Sequence, residues 1–157
     1  MAEFRYSIIK NPEIFMENRL PAHSDHAFYR SEESAVANDA DFKVSLNGVW
    51  KFSYAKNIAS AIEGFEKADY DCKTWDDIRV PAHIQMEGYD TPQYANTQYP
   101  WDGRQAVLPG EIPEEFNPVG SYVKYFEVPK NMEEGPVFIS FQGVESGMAL
   151  WLNGHYV

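Results

Sequence analysis

Trp50, Phe52 and Tyr54 occupy alternate positions, with Val49, Lys51 and Ser53 at the intervening parity. Successive side chains on an extended strand point to opposite sides, so this period of two gathers the three rings on one face. A face of that size must be covered, which commits the chain to a packed sheet. The alternation returns at 121–128, where Tyr122, Lys124 and Phe126 oppose Val123, Tyr125 and Glu127, and again at 137–142 and 148–152. Asn153-Gly154 then separates two apolar stretches, the strongest short-range hairpin signal. His155, Tyr156 and Val157 begin the returning strand. A return that short leaves ladder groups and one core face uncovered, so the pattern predicts a sheet structure incomplete at its C-terminal edge. Between the first strands, Asn57 is placed to cap a short helix running to about Phe65, with Ile58, Ala61, Ile62 and Phe65 as its apolar stripe.

The chain has 157 residues, within the usual size of one domain. Its first forty or so residues alternate small apolar islands with turn formers, including Asn11-Pro12, Leu20-Pro21 and Ser24-Asp25. They read as an extended arm that becomes ordered against something else. The expected division is an arm over 1–43 and an all-β domain over 44–157. A formal net charge of −11 repels phosphate backbones and anionic lipid heads, which argues against nucleic acid and membrane surfaces as partners. No apolar run approaches the roughly 20 residues that cross a bilayer. Cys72 is the one cysteine and no Asn-x-Ser/Thr site occurs, a combination that favours the cytoplasm.

Pro81, Gly88, Pro92, Pro100, Gly103, Pro109, Gly110, Pro113 and Pro118 break regular structure between the strands. Tyr89, Tyr94, Tyr99 and Trp101 supply apolar area to anchor that stretch. Long ordered loops in compact domains are usually functional, so a ligand is sought here first. Asn96 lies between two tyrosines in this loop. Its amide donates and accepts at once, which suits vicinal sugar hydroxyls; an asparagine also closes turns through its own backbone, and both readings stand at this point.

Other chemistry-bearing residues have a plainer reading. His23 and His26, with Asp25 between, suggest a metal but lack a third ligand nearby, and a polar turn accounts for them. His83 and His155 are isolated. Asp76-Asp77, Glu114-Glu115 and Glu133-Glu134 invite comparison with glycosidase carboxylate pairs, which stand about 5–9 Å apart across a bond. Neighbours on a strand point apart, and neighbours in a loop are solvated. The charges of Asp69 and Asp71 disfavour a thiolate at Cys72. No catalytic residue is therefore assigned within these residues.

From Val80-Pro81 the chain reads Gln85-Met86-x-Gly88-Tyr89-Asp90-x-Pro92-x-Tyr94-x-Asn96-x-x-Tyr99-Pro100. This resembles the N-terminal region of bacterial β-galactosidases of glycoside hydrolase family 2. Asn18-Arg19-Leu20 with Ala22-His23 is similar to that family's arm, and Ser45-Leu46-Asn47-Gly48-x-Trp50-x-Phe52 to the start of its first domain. Asn117-Pro118 with Tyr122, Phe141-x-Gly143-Val144 and Leu150-Trp151-x-Asn153-Gly154 resemble the strands that follow. The resemblance implies a jelly-roll β-sandwich of the galactose-binding kind, preceded by an extended arm. It implies a substrate-binding role for Asn96 and, beside it, Thr97. For the complete enzyme it implies retaining hydrolysis of β-galactosides such as lactose, homo-oligomers, catalytic glutamates in a later barrel, and magnesium and sodium that cannot be matched to ligands here. Alternatives are a free-standing carbohydrate-binding module and a subunit-interface fragment without activity. A β-glucuronidase would need basic residues for its anionic sugar, and 94–100 contains none.

Overall fold

The strand β1, Gly48–Ala55, is the middle of a three-stranded antiparallel sheet of order β2-β1-β3, with β2 at Asp76–Val80 and β3 at Val119–Val123. The computed structural model describes residues 3–24, 26–40, 42–92, 96 and 101–157. Register places Trp50 opposite Ile78, and Phe52 opposite both Asp76 and Tyr122, while Tyr54 faces Gly120. These residues therefore share the face that the sequence alternation assigns to the rings. Phe52 and Ile78 are almost wholly enclosed, and Ala55 and Cys72 complete the buried apolar set.

The opposite face is ionic and small. Lys51 and Asp77 are cross-strand partners whose side chains meet at 2.8 Å, and Ser121 is buried. Lys124 Nζ donates to the Val49 carbonyl at 2.9 Å.

The helix expected from Asn57 to Phe65 is one turn of 3-10 helix, Ile58–Ser60. The cap itself is as expected, with Asn57 Oδ1 accepting from Ser60 N at 3.0 Å and from its hydroxyl at 2.6 Å. Ala61 is already extended, and Gly64 takes a left-handed φ of +77°. Burial elsewhere overrides the weak helical stripe: Phe65 packs on Trp75 at 5.6 Å and on Trp151 at 6.4 Å. The Asn57 amide also donates to the carbonyls of Glu114 and Glu115 at 2.9 and 3.1 Å, so one side chain starts a turn and seats a distant loop.

The Asn153-Gly154 hairpin forms between β4, Trp151–Leu152, and β5, His155–Tyr156. Both turn residues have positive φ, as a two-residue hairpin demands. Phe4 contacts the rings of Trp151 and Tyr156 at 5.4 and 5.5 Å, and the Tyr156 hydroxyl donates to Glu17 at 3.2 Å. The all-β antiparallel organisation agrees with the sandwich expected from the sequence.

These elements lie in one compact unit, Met1–Arg19, Asn47–Lys124 and Ala149–Val157. A second unit comprises Leu20–Leu46 and Tyr125–Met148. It holds the helix α1, Glu32–Val36, with a capping box between Ser31 and Ser34. Arg30 stacks over Phe42 at 4.8 Å, and the Tyr29 hydroxyl donates to Asn38 at 2.8 Å. Two expected strands are shorter than their alternation: β3 stops at Val123, and β4 holds only Trp151–Leu152. The alternating segment 137–142 joins no ladder among the described residues, and Phe138 is 68% exposed. Alternation records which side chains share a face; a ladder also needs a partner strand.

Gly120 shows how tightly the ring face is packed. A Cβ there would lie 2.9 Å from both Phe52 Cε2 and Tyr122 Cε2. Gly120→Ala is expected to destabilise the fold by about 1–3 kcal/mol through overpacking, read as a lower denaturation midpoint with an unchanged m-value. A midpoint equal to wild type would mean that the rings move aside freely.

Candidate functional site

The loop that carries Asn96 leaves β2, one of the two edge strands of the sheet. After Val80 the chain makes one 3-10 turn, Ile84–Glu87, closed by Gly88 at a φ of +95°, where a side chain would be strained. Tyr89 N donates back to the Ile84 carbonyl at 3.0 Å. Two side chains then tie this turn to the strand it has just left. The Tyr89 hydroxyl donates to Asp76 at 2.9 Å, and the Arg79 guanidinium donates through Nε and Nη2 to Glu87 Oε1 at 3.2 and 2.7 Å. The Tyr89 ring also meets Phe52 edge-on at 4.6 Å.

Past residue 100 the chain is tied down again. Trp101 Nε1 donates to the Phe116 carbonyl at 2.7 Å, and Glu115 N donates to Gln105 Oε1 at 3.4 Å. The Asn57 amide holds the carbonyls of Glu114 and Glu115, and Asn117 N donates to the Lys56 carbonyl at 2.9 Å. Between these two anchored flanks Asn96 lies in a bend and is exposed. Thr97, the second residue expected to bind substrate, lies outside the described residues. So does Tyr94.

A shallow cleft of about 400 Å³ opens on the same sheet, lined by Phe52, Tyr54, Thr74, Trp75, Asp76 and Tyr89 among others. Burial raises the Tyr89 hydroxyl above a tyrosine's ordinary 10.0, and the hydrogen bond to Asp76 and the charges of Asp76, Glu87 and Asp77 add to it. Burial raises Tyr54 as well, with help from Asp90. Both phenols stay protonated through neutral pH, so Tyr89 keeps the proton it donates to Asp76.

The remaining candidates separate. Asp76 and Asp77 leave opposite faces of β2, one to Tyr89 and the other to Lys51. Cys72 is buried. His23 Nδ1 lies 2.8 Å from its neighbour's carbonyl, that of Ser24, and Asp25 is outside the described residues. Among the described residues no three His, Cys, Asp or Glu side chains gather as a metal would need. No described helix is long and apolar enough to cross a membrane.

Sequence reasoning singled out Asn96 and missed the ties around it. Arg79 and Glu87 are eight residues apart, a spacing that signals nothing without the turn between them. Asp76 had a visible signal: as an acid on the ring face of β2, it required a polar partner.

Residues 43–157 match the family described as "Glycosyl hydrolases family 2, sugar binding domain". The chain is 53% identical over 152 residues to a protein named beta-galactosidase from Halalkalibacterium halodurans, covering 96% of this chain and 15% of that protein. It is 47% identical over 150 residues to a beta-galactosidase from Clostridium acetobutylicum, covering 95% and 17%. A beta-galactosidase large subunit from Latilactobacillus sakei is 36% identical over 161 residues, covering 95% and 26%. The chain thus spans a small part of the length of these curated relatives.

The Tyr89 shift has a testable sign. A phenol held above 10.0 stabilises the fold fully below that pH, and the contribution is lost as pH rises through the raised value. Tyr6, Tyr54, Tyr122 and Tyr156 are raised as well, so ultraviolet difference titration is expected to show a late-ionising phase that loses one tyrosine's amplitude in Tyr89→Phe. An unchanged amplitude of the late phase in the variant would assign that phase to the other rings alone.

Proposed function

We propose that this chain, which belongs to the sugar-binding domain family of the family 2 glycosyl hydrolases, holds the galactosyl group in a β-galactosidase. The observation that carries the reading is Asn96, exposed in a bend between two anchored flanks, in a chain whose relatives are named beta-galactosidase. A primary amide offers two donors and a carbonyl acceptor, enough to engage neighbouring hydroxyls of a neutral sugar. Thr97 adds a hydroxyl beside it.

In this reading the complete enzyme hydrolyses terminal β-galactosides such as lactose with retention. Its two catalytic carboxylates, about 5–5.5 Å apart in retaining enzymes, come from outside these residues. Asn96 fixes the sugar against them. Orientation of a bound group contributes several kcal/mol to a barrier, so the amide acts on turnover as well as on binding. The compartment is the cytoplasm, and the partners are the galactoside, the other domains of the enzyme and further copies of it. Magnesium and sodium are assigned to the complete enzyme and to no residue here.

A second reading, a subunit-interface fragment, draws support from relatives named beta-galactosidase large subunit. A sugar effect from Asn96 separates the two. In the complete enzyme, Asn96→Ala is expected to lower kcat/KM for β-galactosides at least about tenfold, the factor that corresponds to about 1.4 kcal/mol of lost transition-state binding. An unchanged kcat/KM would remove Asn96 from the site. The purified 157-residue chain is expected to hydrolyse no galactoside. Hydrolysis that scales with its concentration would place the carboxylates inside it.

A further inference from the structure

The geometry points to Tyr89 as a positioning residue: its hydroxyl, held by Asp76, fixes where the loop bearing Asn96 departs from the sheet. This rests on the assignment of Asn96 to the sugar.

The argument begins with strand parity. Asp76 and Arg79 lie on β2 at positions of opposite parity, so their side chains leave opposite faces of the sheet. Glu87 and Tyr89 are two residues apart, and they reach those two faces, Glu87 to Arg79 and Tyr89 to Asp76. The turn therefore straddles the edge strand and grips it from both sides. A turn held from one side can still rock about the strand, whereas one held from both sides cannot.

The two ties are unequal. Both polar contacts reach solvent, since the Arg79 side chain is 77% exposed and Asp76 is exposed too, so neither contributes much energy by itself. Tyr89 is different, because its ring rests on Phe52, one of the two most enclosed side chains, while its hydroxyl meets a carboxylate. The phenol thus joins the core to the loop's point of departure, and Asp90 immediately after it takes a left-handed φ of 59° that turns the chain away. The ring alone would keep Tyr89 against Phe52; the hydroxyl sets its rotation and height on the sheet.

The experiment is a double-mutant cycle in the complete enzyme, with kcat/KM for a β-galactoside as the readout. Tyr89→Phe keeps the ring and removes the hydroxyl. It is expected to lower kcat/KM about three- to tenfold, the range for one lost hydrogen bond of ordinary net strength at an exposed position. In an Asn96→Ala background the same change is expected to have almost no effect, because the residue through which Tyr89 acts is gone. Asp76→Ala should behave as Tyr89→Phe does, and Asp76→Asn, which keeps an acceptor oxygen, should restore most of the activity. Asp76→Ala leaves the tyrosine ring in place, so it supplies the answer if Tyr89→Phe does not fold. No loss in either variant, or a full loss that persists without the Asn96 amide, would overturn the positioning role alone. Asn96→Ala with unchanged kcat/KM would instead overturn the sugar assignment, and this inference with it.

Discussion

Phe52 sits where the sheet, the loop and the third strand converge. Its ring meets Tyr122 of β3 at 4.8 Å and Tyr89 at 4.6 Å, and it roofs the space that Gly120 leaves open. Aromatic pairs in these tilted and edge-on arrangements each add about 0.5–1.5 kcal/mol beyond the area they bury. The larger consequence is geometric. One enclosed side chain sets the position of β3 relative to β1 and of the turn that begins the ligand loop. An error at Phe52 would pass to both.

Around that ring the polar groups are matched with little slack. Asp76 is the acid on the ring face and takes the Tyr89 hydroxyl, while Asp77 is the acid on the other face and takes Lys51. Among the described residues no buried side-chain nitrogen or oxygen lacks a hydrogen-bond partner. The chain's acidity thus divides into separately satisfied pairs at the sheet and solvated groups elsewhere, a pattern suited to handling a neutral ligand near a negatively charged surface.

Much of this was legible in the sequence, for identifiable reasons. Period two at Trp50, Phe52 and Tyr54 gave the ring face, and Asn153-Gly154 gave the hairpin, because both signals depend on local geometry alone. Asn57 was readable as a cap for the same reason. The helix to Phe65 was over-read, since its stripe competes with the aromatic contacts of Phe65 to Trp75 and Trp151. Those contacts join residues distant in sequence and leave no periodic trace. At the site, Asn96 stood out through its setting between tyrosines and through the family resemblance. The Tyr89–Asp76 and Arg79–Glu87 ties did not, because each depends on a fold-back that sequence spacing does not encode.

Asn57 places an unusual demand on a single position. Its carbonyl oxygen starts the turn by accepting from Ser60, and its nitrogen holds the carbonyls of Glu114 and Glu115 on the segment that leads into β3. Aspartate, serine or threonine would keep the first task and lose the second, because none offers the amide's two donors alongside its acceptor. Glutamine has both halves on a stem one carbon too long for the cap. Residues usually exchanged freely at helix starts are therefore not interchangeable here, and the identity of one turn residue governs how the far rim of the ligand loop is seated, some sixty positions along the chain.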